Sequence, residues 1–155
     1  MLIKKEILIN ANVKKVWSVF SKLEDWPKWS GYVIKTKWLS KDKWEKDSEF
    51  MQVVKGFAFV RTFQSNPKIL KIKPYNIVIW TGTRKLVRGL HIFKFQKVDN
   101  KTKVINIEHF TGVLAPFLFP LMKNNFNMSE IYHQSIENQR FSSVIGNAKH
   151  LPTYD

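Results

Sequence analysis

The chain has no cysteine, which excludes disulfide bonds and thiol chemistry and leaves packing as the source of its stability. No apolar run approaches the roughly 20 residues that a membrane-spanning helix needs. The longest, GVLAPFLFPLM, is interrupted by Pro116 and Pro120. The opening MLIKKEILIN is broken by Lys4, Lys5 and Glu6 and has no continuous apolar stretch with a small-residue cleavage site, so a cytoplasmic protein is expected. There is no glycine-rich phosphate loop, no nucleophile elbow and no His, Asp or Glu group at metal-ligand spacing. Neither a metal nor another cofactor is therefore expected. Acidic residues are scarce, 12 Asp and Glu against 26 Lys and Arg, for a formal net charge of +14.

What is abundant is aromatic and apolar surface. Aromatics make up 14% of the 155 residues and apolar side chains 44%, a composition that folds. The length suits one domain over residues 1–155, with LPTYD as a loose tail. A field of such positive sign favours anionic partners, nucleic acid or acidic lipid. Yet the lysines are scattered singly through alternating segments (Lys35 and Lys37, Lys71 and Lys73, Lys101 and Lys103), as on a solvated surface.

Residues Ile3 to Ile9 alternate and predict a strand. Asn10 or Asn12 can then cap a helix whose apolar residues Val13, Val16, Trp17 and Phe20 follow the i, i+3, i+4, i+7 rule. Pro27 cannot continue that helix, so LEDWPKWSG predicts a brief second helix or turn ending near Gly31. From Tyr32 to about Gly112 the pattern has period two, in YVIKTKWLS, EFMQVVKG, FAFVRTFQ, KILKIK, NIVIWTGTR, LHIFKFQKV and KVINIEHFTG. The separators KDKWEKDS, NP, KPYN and DNK are short, which predicts an antiparallel meander of about six strands. In the last segment Leu118, Leu121, Met122, Met128, Tyr132 and Ile136 fall near one helical face, predicting a long terminal helix whose stripe packs on the sheet. The expected class is α+β, a curved antiparallel sheet around a long C-terminal helix, with two short helices after the first strand and the lysines on the outer face.

This order, together with VKKVWSVFSKLEDWPKWSGYV, IWTG, GLHIFKF and NIEHFTG, resembles the START-like (SRPBCC) superfamily of helix-grip proteins, in its polyketide cyclase/dehydrase-type branch. The resemblance covers nearly the whole chain. Its most specific piece is the Val-Trp-x-x-Phe helix followed by a Trp-x-x-Trp turn. It implies a deep, mostly apolar cavity between sheet and long helix, used for lipids, hormones, polyketides or aromatic metabolites and sometimes for catalysis. Trp17 then anchors the first helix, while Trp26 and Trp29 sit in the turn near the end of the cavity. Trp29 is open to either role, core anchor or ligand contact.

Strand parity supplies candidate site residues. His91, Phe93 and Phe95 share one face, and Glu108 shares one with Val104, Asn106 and Phe110, whereas Lys94 and Lys103 lie opposite. His91 and Glu108 are thereby directed toward the cavity. Arg61, between Phe59 and Phe63, and Arg84, beyond Trp80 and Gly82, are expected to join them, because a carboxylate in an aromatic pocket needs a partner. The expected ligand-binding set is Trp29, Tyr32, Phe59, Arg61, Trp80, Arg84, His91, Phe93, Glu108, Phe110, Met128 and Tyr132. Three functions compete. The first is binding, with or without transport, of a small hydrophobic molecule whose polar head meets this patch. The second is a cyclase- or dehydrase-like enzyme in which His91 and Glu108 abstract a proton beside a carbonyl. The third is non-specific binding of anionic membrane or nucleic acid through the basic face. A single-strand binder would expose aromatics and charge together, whereas parity separates them in YVIKTKWLS, with Ile34, Thr36 and Trp38 in and the lysines out, so no specific nucleic-acid partner is expected. Neither the oligomeric state nor the ligand follows from the sequence.

Overall fold

The computed structural model describes residues 2–56, 61–84 and 87–113, with side chains up to Gly82 in the second segment. The expected terminal helix, with Met128 and Tyr132, lies outside the described residues, as does Phe59. Strand β1 (Leu2–Ile9) leads into helix α1 (Val13–Phe20), a 3-10 turn (Leu23–Asp25) and a one-turn helix α2 (Trp26–Trp29). Seven strands follow: β2 (Val33–Trp38), β3 (Phe50–Lys55), β4 (Thr62–Ser65), β5 (Lys68–Lys73), β6 (Ile77–Arg84), β7 (Val87–Val98) and β8 (Lys101–Thr111). All pairings are antiparallel, in the orders β1-β8-β7-β6-β5 and β2-β3-β4. The two sheets meet where Glu49 bridges Lys68 and where the Phe50 N–H donates to the Pro67 carbonyl, making one curved antiparallel surface of an α+β fold. Among the described residues no helix is long and apolar enough to cross a membrane.

Local chemistry accounts for the helical start. Asn12, and not Asn10, is the cap of α1: its Oδ1 accepts from the Lys15 N–H at 2.9 Å, satisfying a donor of the first turn. Val16, Trp17, Val19 and Phe20 form the buried stripe. Pro27 sits in the first turn of α2, where its missing N–H costs nothing, and Gly31 ends the segment at φ 62°, a conformation glycine adopts without strain.

The core is aromatic. Phe20 lies 5.2 Å from Phe93 and 5.0 Å from Phe95, fixing α1 on the inner face of β7. Trp26 packs on Phe20, Phe50 and Trp80, and its Nε1–H donates to the Phe20 carbonyl at 2.7 Å. Each such ring pair adds about 0.5–1.5 kcal/mol beyond the area it buries. Trp17, Trp26 and Trp29 are all core residues. Trp44 joins them from the β2–β3 loop: its ring meets Trp17, Phe20, Trp26 and Trp38, and its Nε1–H donates to the Ser21 carbonyl at 2.6 Å.

One parity expectation fails. Thr36 and Trp38 are buried, but Ile34 is exposed, because the β2–β3 register steps from Val33↔Val54 to Lys35↔Val53. Ile34 is the extra residue of a bulge and Val33 takes its place against the core. Leu70 is exposed for the same reason, between Ile69↔Trp80 and Lys71↔Ile79.

Candidate functional site

The register of β6, β7, β8 and β1 stacks inner-face side chains in cross-strand rows. One row reads Gly82, Gly89, Phe110; the next Trp80, His91, Glu108, Ile3; the third Val78, Phe93, Asn106, Lys5. Directly opposed side chains in such rows lie about 5 Å apart at Cβ, so each row is a set of neighbours. The first row carries glycine on two adjacent strands, and at Gly89 the missing side chain lets His91 and Phe110 close over the backbone. A Cβ on Gly89 would come within 3.2 Å of both His91 Nε2 and Phe110 Cε1.

In the second row Trp80 is stacked on His91 (centroids 5.7 Å, interplanar 15°) and also on Phe93 (5.0 Å, 12°). Phe110 meets the imidazole edge-on at 5.9 Å. His91 Nδ1 stands 3.7 Å from Glu108 Oε1, an electrostatic contact too long for a formed hydrogen bond, and both side chains keep 19% exposure. Asn106 Nδ2 donates to the same carboxylate oxygen at 3.1 Å.

Electrostatics knit this patch together. Burial alone would push the Glu108 carboxyl up. The His91 imidazole, the Asn106 amide and the charge of Lys5 outweigh burial and leave it below the ordinary carboxylate range. Tyr32 is held well above the usual phenol range by burial and by the negative charge of Glu108. Burial also draws the Lys5 ammonium down, against the opposing pull of Glu108. Lys5 Nζ, Trp80 Nε1 and Asn106 Oδ1 are buried and have no hydrogen-bond partner among the described residues.

The structure thus brings together Trp80, His91, Phe93, Glu108 and Phe110 of the expected set, with Tyr32 within electrostatic reach of Glu108, and leaves others out. Trp29 is buried in the aromatic core against Trp26. Arg61 is exposed and does not join Glu108; His91, Asn106 and Lys5 supply the compensation it was expected to give. The Arg84 side chain lies outside the described part of its strand. Lys5 is the residue that sequence reading missed. Its parity with Ile3, Ile7 and Ile9 could have found it, since those three face inward while Lys4 pairs with Glu6 outside, and Glu6 in turn with Lys103.

The family model described as polyketide cyclase / dehydrase and lipid transport matches residues 2–137. No curated protein matches the chain. Among solved structures, a Nitrosomonas europaea protein aligns with TM-score 0.72 at 13% identity, covering 97% of each chain. A Thermus thermophilus protein gives 0.72 at 13% identity, over 93% of this chain and 99% of its own. A START superfamily protein from Mycobacterium smegmatis gives 0.67 at 11% identity, over 88% of this chain and 97% of its own. At such identities the likeness is one of fold.

Proposed function

The chain belongs to the polyketide cyclase / dehydrase and lipid transport family, and from that premise we propose that it binds a small hydrophobic molecule against the inner face of β6, β7 and β8. One observation carries the reading: the aromatic rings of Trp80, Phe93 and Phe110 stand in the same cross-strand rows as buried polar atoms that have no hydrogen-bond partner among the described residues. An unpaired buried polar atom costs about 1–3 kcal/mol, so a molecule with an apolar body and a polar head is stabilised here twice, by burial and by completing those bonds. The neutral dye phenylnaphthylamine tests it. Its fluorescence is expected to rise saturably on the parent protein and to fall several-fold in Gly89→Leu, whose side chain pushes His91 and Phe110 out of place. Equal dye binding by both proteins refutes this location.

The enzymatic alternative uses the same pair, with Glu108 taking a proton from the carbon beside a ligand carbonyl. A general base works best with a pKa near the working pH, and Glu108 is shifted the other way. That direction favours a binder or carrier. Glu108→Gln is expected to change affinity modestly with no turnover to lose; a variant that binds normally but stops converting a bound compound would reverse the choice.

A further inference from the structure

We propose that β1 is a self-pairing edge: two copies of the chain join antiparallel along this strand, making one sheet that runs through both molecules. The inference concerns a different surface from the ligand site and stands independently of it. β1 ends the order β1-β8-β7-β6-β5 and pairs with β8 alone among the described residues. Such an edge leaves the N–H and C=O of every second residue without a strand partner, a template for another strand. Leu2 and Leu8 stand on its outer face at 67% and 52% exposure, among the most exposed of the described apolar side chains.

The order of side chains says which strand fits. A two-fold axis normal to the sheet keeps each face on its own side, so residues of equal parity oppose one another. With the axis at Lys5, Lys4 of each copy opposes Glu6 of the other, Leu2 opposes Leu8, and Ile3 opposes Ile7. With the axis at Lys4 or at Glu6, like charges meet on the outer face, and Glu6 falls against Leu2 or Lys4 against Leu8. The strand LIKKEIL is thus complementary to itself in one register. Within the chain Glu6 already holds two ammoniums, Lys4 and Lys103, each at 2.6 Å. Pairing keeps Lys103 on Glu6 and exchanges Lys4 for Lys4 of the second copy, all at the surface. Charged edges often serve to repel other strands. A purely repelling edge carries one sign, whereas Glu6 falls where a second Lys4 arrives. The one like pair, Lys5 with Lys5, lies on the inner face, where each ammonium is drawn toward Glu108 of its own chain. The net charge of +14 opposes encounter, but screening over about 8 Å at physiological salt removes most of that repulsion.

Sedimentation velocity at physiological salt, from about 1 μM to about 1 mM, tests the pairing over the range in which weak interfaces saturate. The parent should pass from the chain mass to twice that mass. Lys4→Glu and Glu6→Lys each set like charges opposite one another across the seam, and each should weaken the dimer at least about tenfold. Lys4→Glu also lowers the net positive charge, so its effect cannot come from overall repulsion. An equimolar mixture of the two variants restores both opposite-charge pairs and should dimerise again. Lys35→Glu, the same charge change on exposed β2, should leave the dimer intact. Lys4, Glu6 and Lys35 are exposed, and thermal melts should show every variant folded. The absence of native cysteine gives a second readout: residues opposed across an antiparallel pair lie within disulfide reach. Oxidation should link two Lys5→Cys chains and leave Leu8→Cys chains unlinked. The proposal is overturned by a parent that stays monomeric or by a dimer that Lys4→Glu leaves intact or that Lys35→Glu abolishes equally. A variant mixture that remains monomeric, or Lys5→Cys chains that do not link, overturns it as well.

Discussion

Trp26 shows how one side chain can be both filler and fastener. Its ring packs among Phe20, Phe50 and Trp80, while its Nε1–H closes the Phe20 carbonyl at the end of α1. Trp26→Phe keeps most of the ring and strands that carbonyl, so a loss of about 1–3 kcal/mol in urea unfolding is expected. Glu108 makes a pH-dependent contribution whose sign follows from its environment. Its folded pKa lies below the ordinary 4.5, so the unfolded chain takes up the proton first as pH falls. The stability it confers is complete above that ordinary value and is lost as pH drops through the folded one. Between about pH 6 and about pH 3 the parent should therefore lose stability more steeply than Glu108→Gln, whose amide does not titrate. Parallel or steeper loss in the variant would mean that the patch does not hold the carboxylate charged.

At the scale of elements, loops carry more of the core than their composition suggests. The β2–β3 connection reads as a polar turn, yet Trp44, at φ 53°, turns back into the aromatic cluster. Trp44→Ala is expected to cost about 3–5 kcal/mol, as for a core aromatic. The exposed Lys46→Ala in the same loop should stay within about 0.5 kcal/mol. Thermal melts of the two variants separate a structural loop from a merely connecting one. The strands, the capped helix and the Trp-Pro turn were legible because burial on one face writes period two or 3.6 into the sequence. The bulges at Ile34 and Leu70 were not, since one extra residue leaves no composition signal and shows only when the partner strand is in place. The His91–Glu108 row was legible from parity within each strand. The nearness of Tyr32 and the arrival of Lys5 depend on chain folding between distant segments, β1 pairing with β8 across almost the whole described length. Arg61 was misplaced for the same reason: parity is silent where a strand has not yet begun, and β4 starts at Thr62.

For the molecule as a whole, charge and the proposed inner-face site are expected to act independently. Lys35, Lys37, Lys71 and Lys73 are exposed on strands whose buried residues face the core. Association with an oligonucleotide or with anionic vesicles should accordingly be weak, insensitive to sequence and steeply reduced by salt, as counterion release requires. Phenylnaphthylamine binding rests on apolar burial and should change little over the same salt range. Sequence-selective oligonucleotide binding that survives physiological salt would reverse the ranking of the basic surface and the proposed site. The central claim, an inner-face site filled by a small apolar molecule, is tested most directly by native mass spectrometry of the protein purified from its own host, beside Gly89→Leu prepared identically. The parent is expected to carry a discrete added mass that organic solvent extracts, and the variant, folded by its thermal melt, to carry little or none. A parent protein of bare polypeptide mass, or an adduct retained equally by Gly89→Leu, would contradict it.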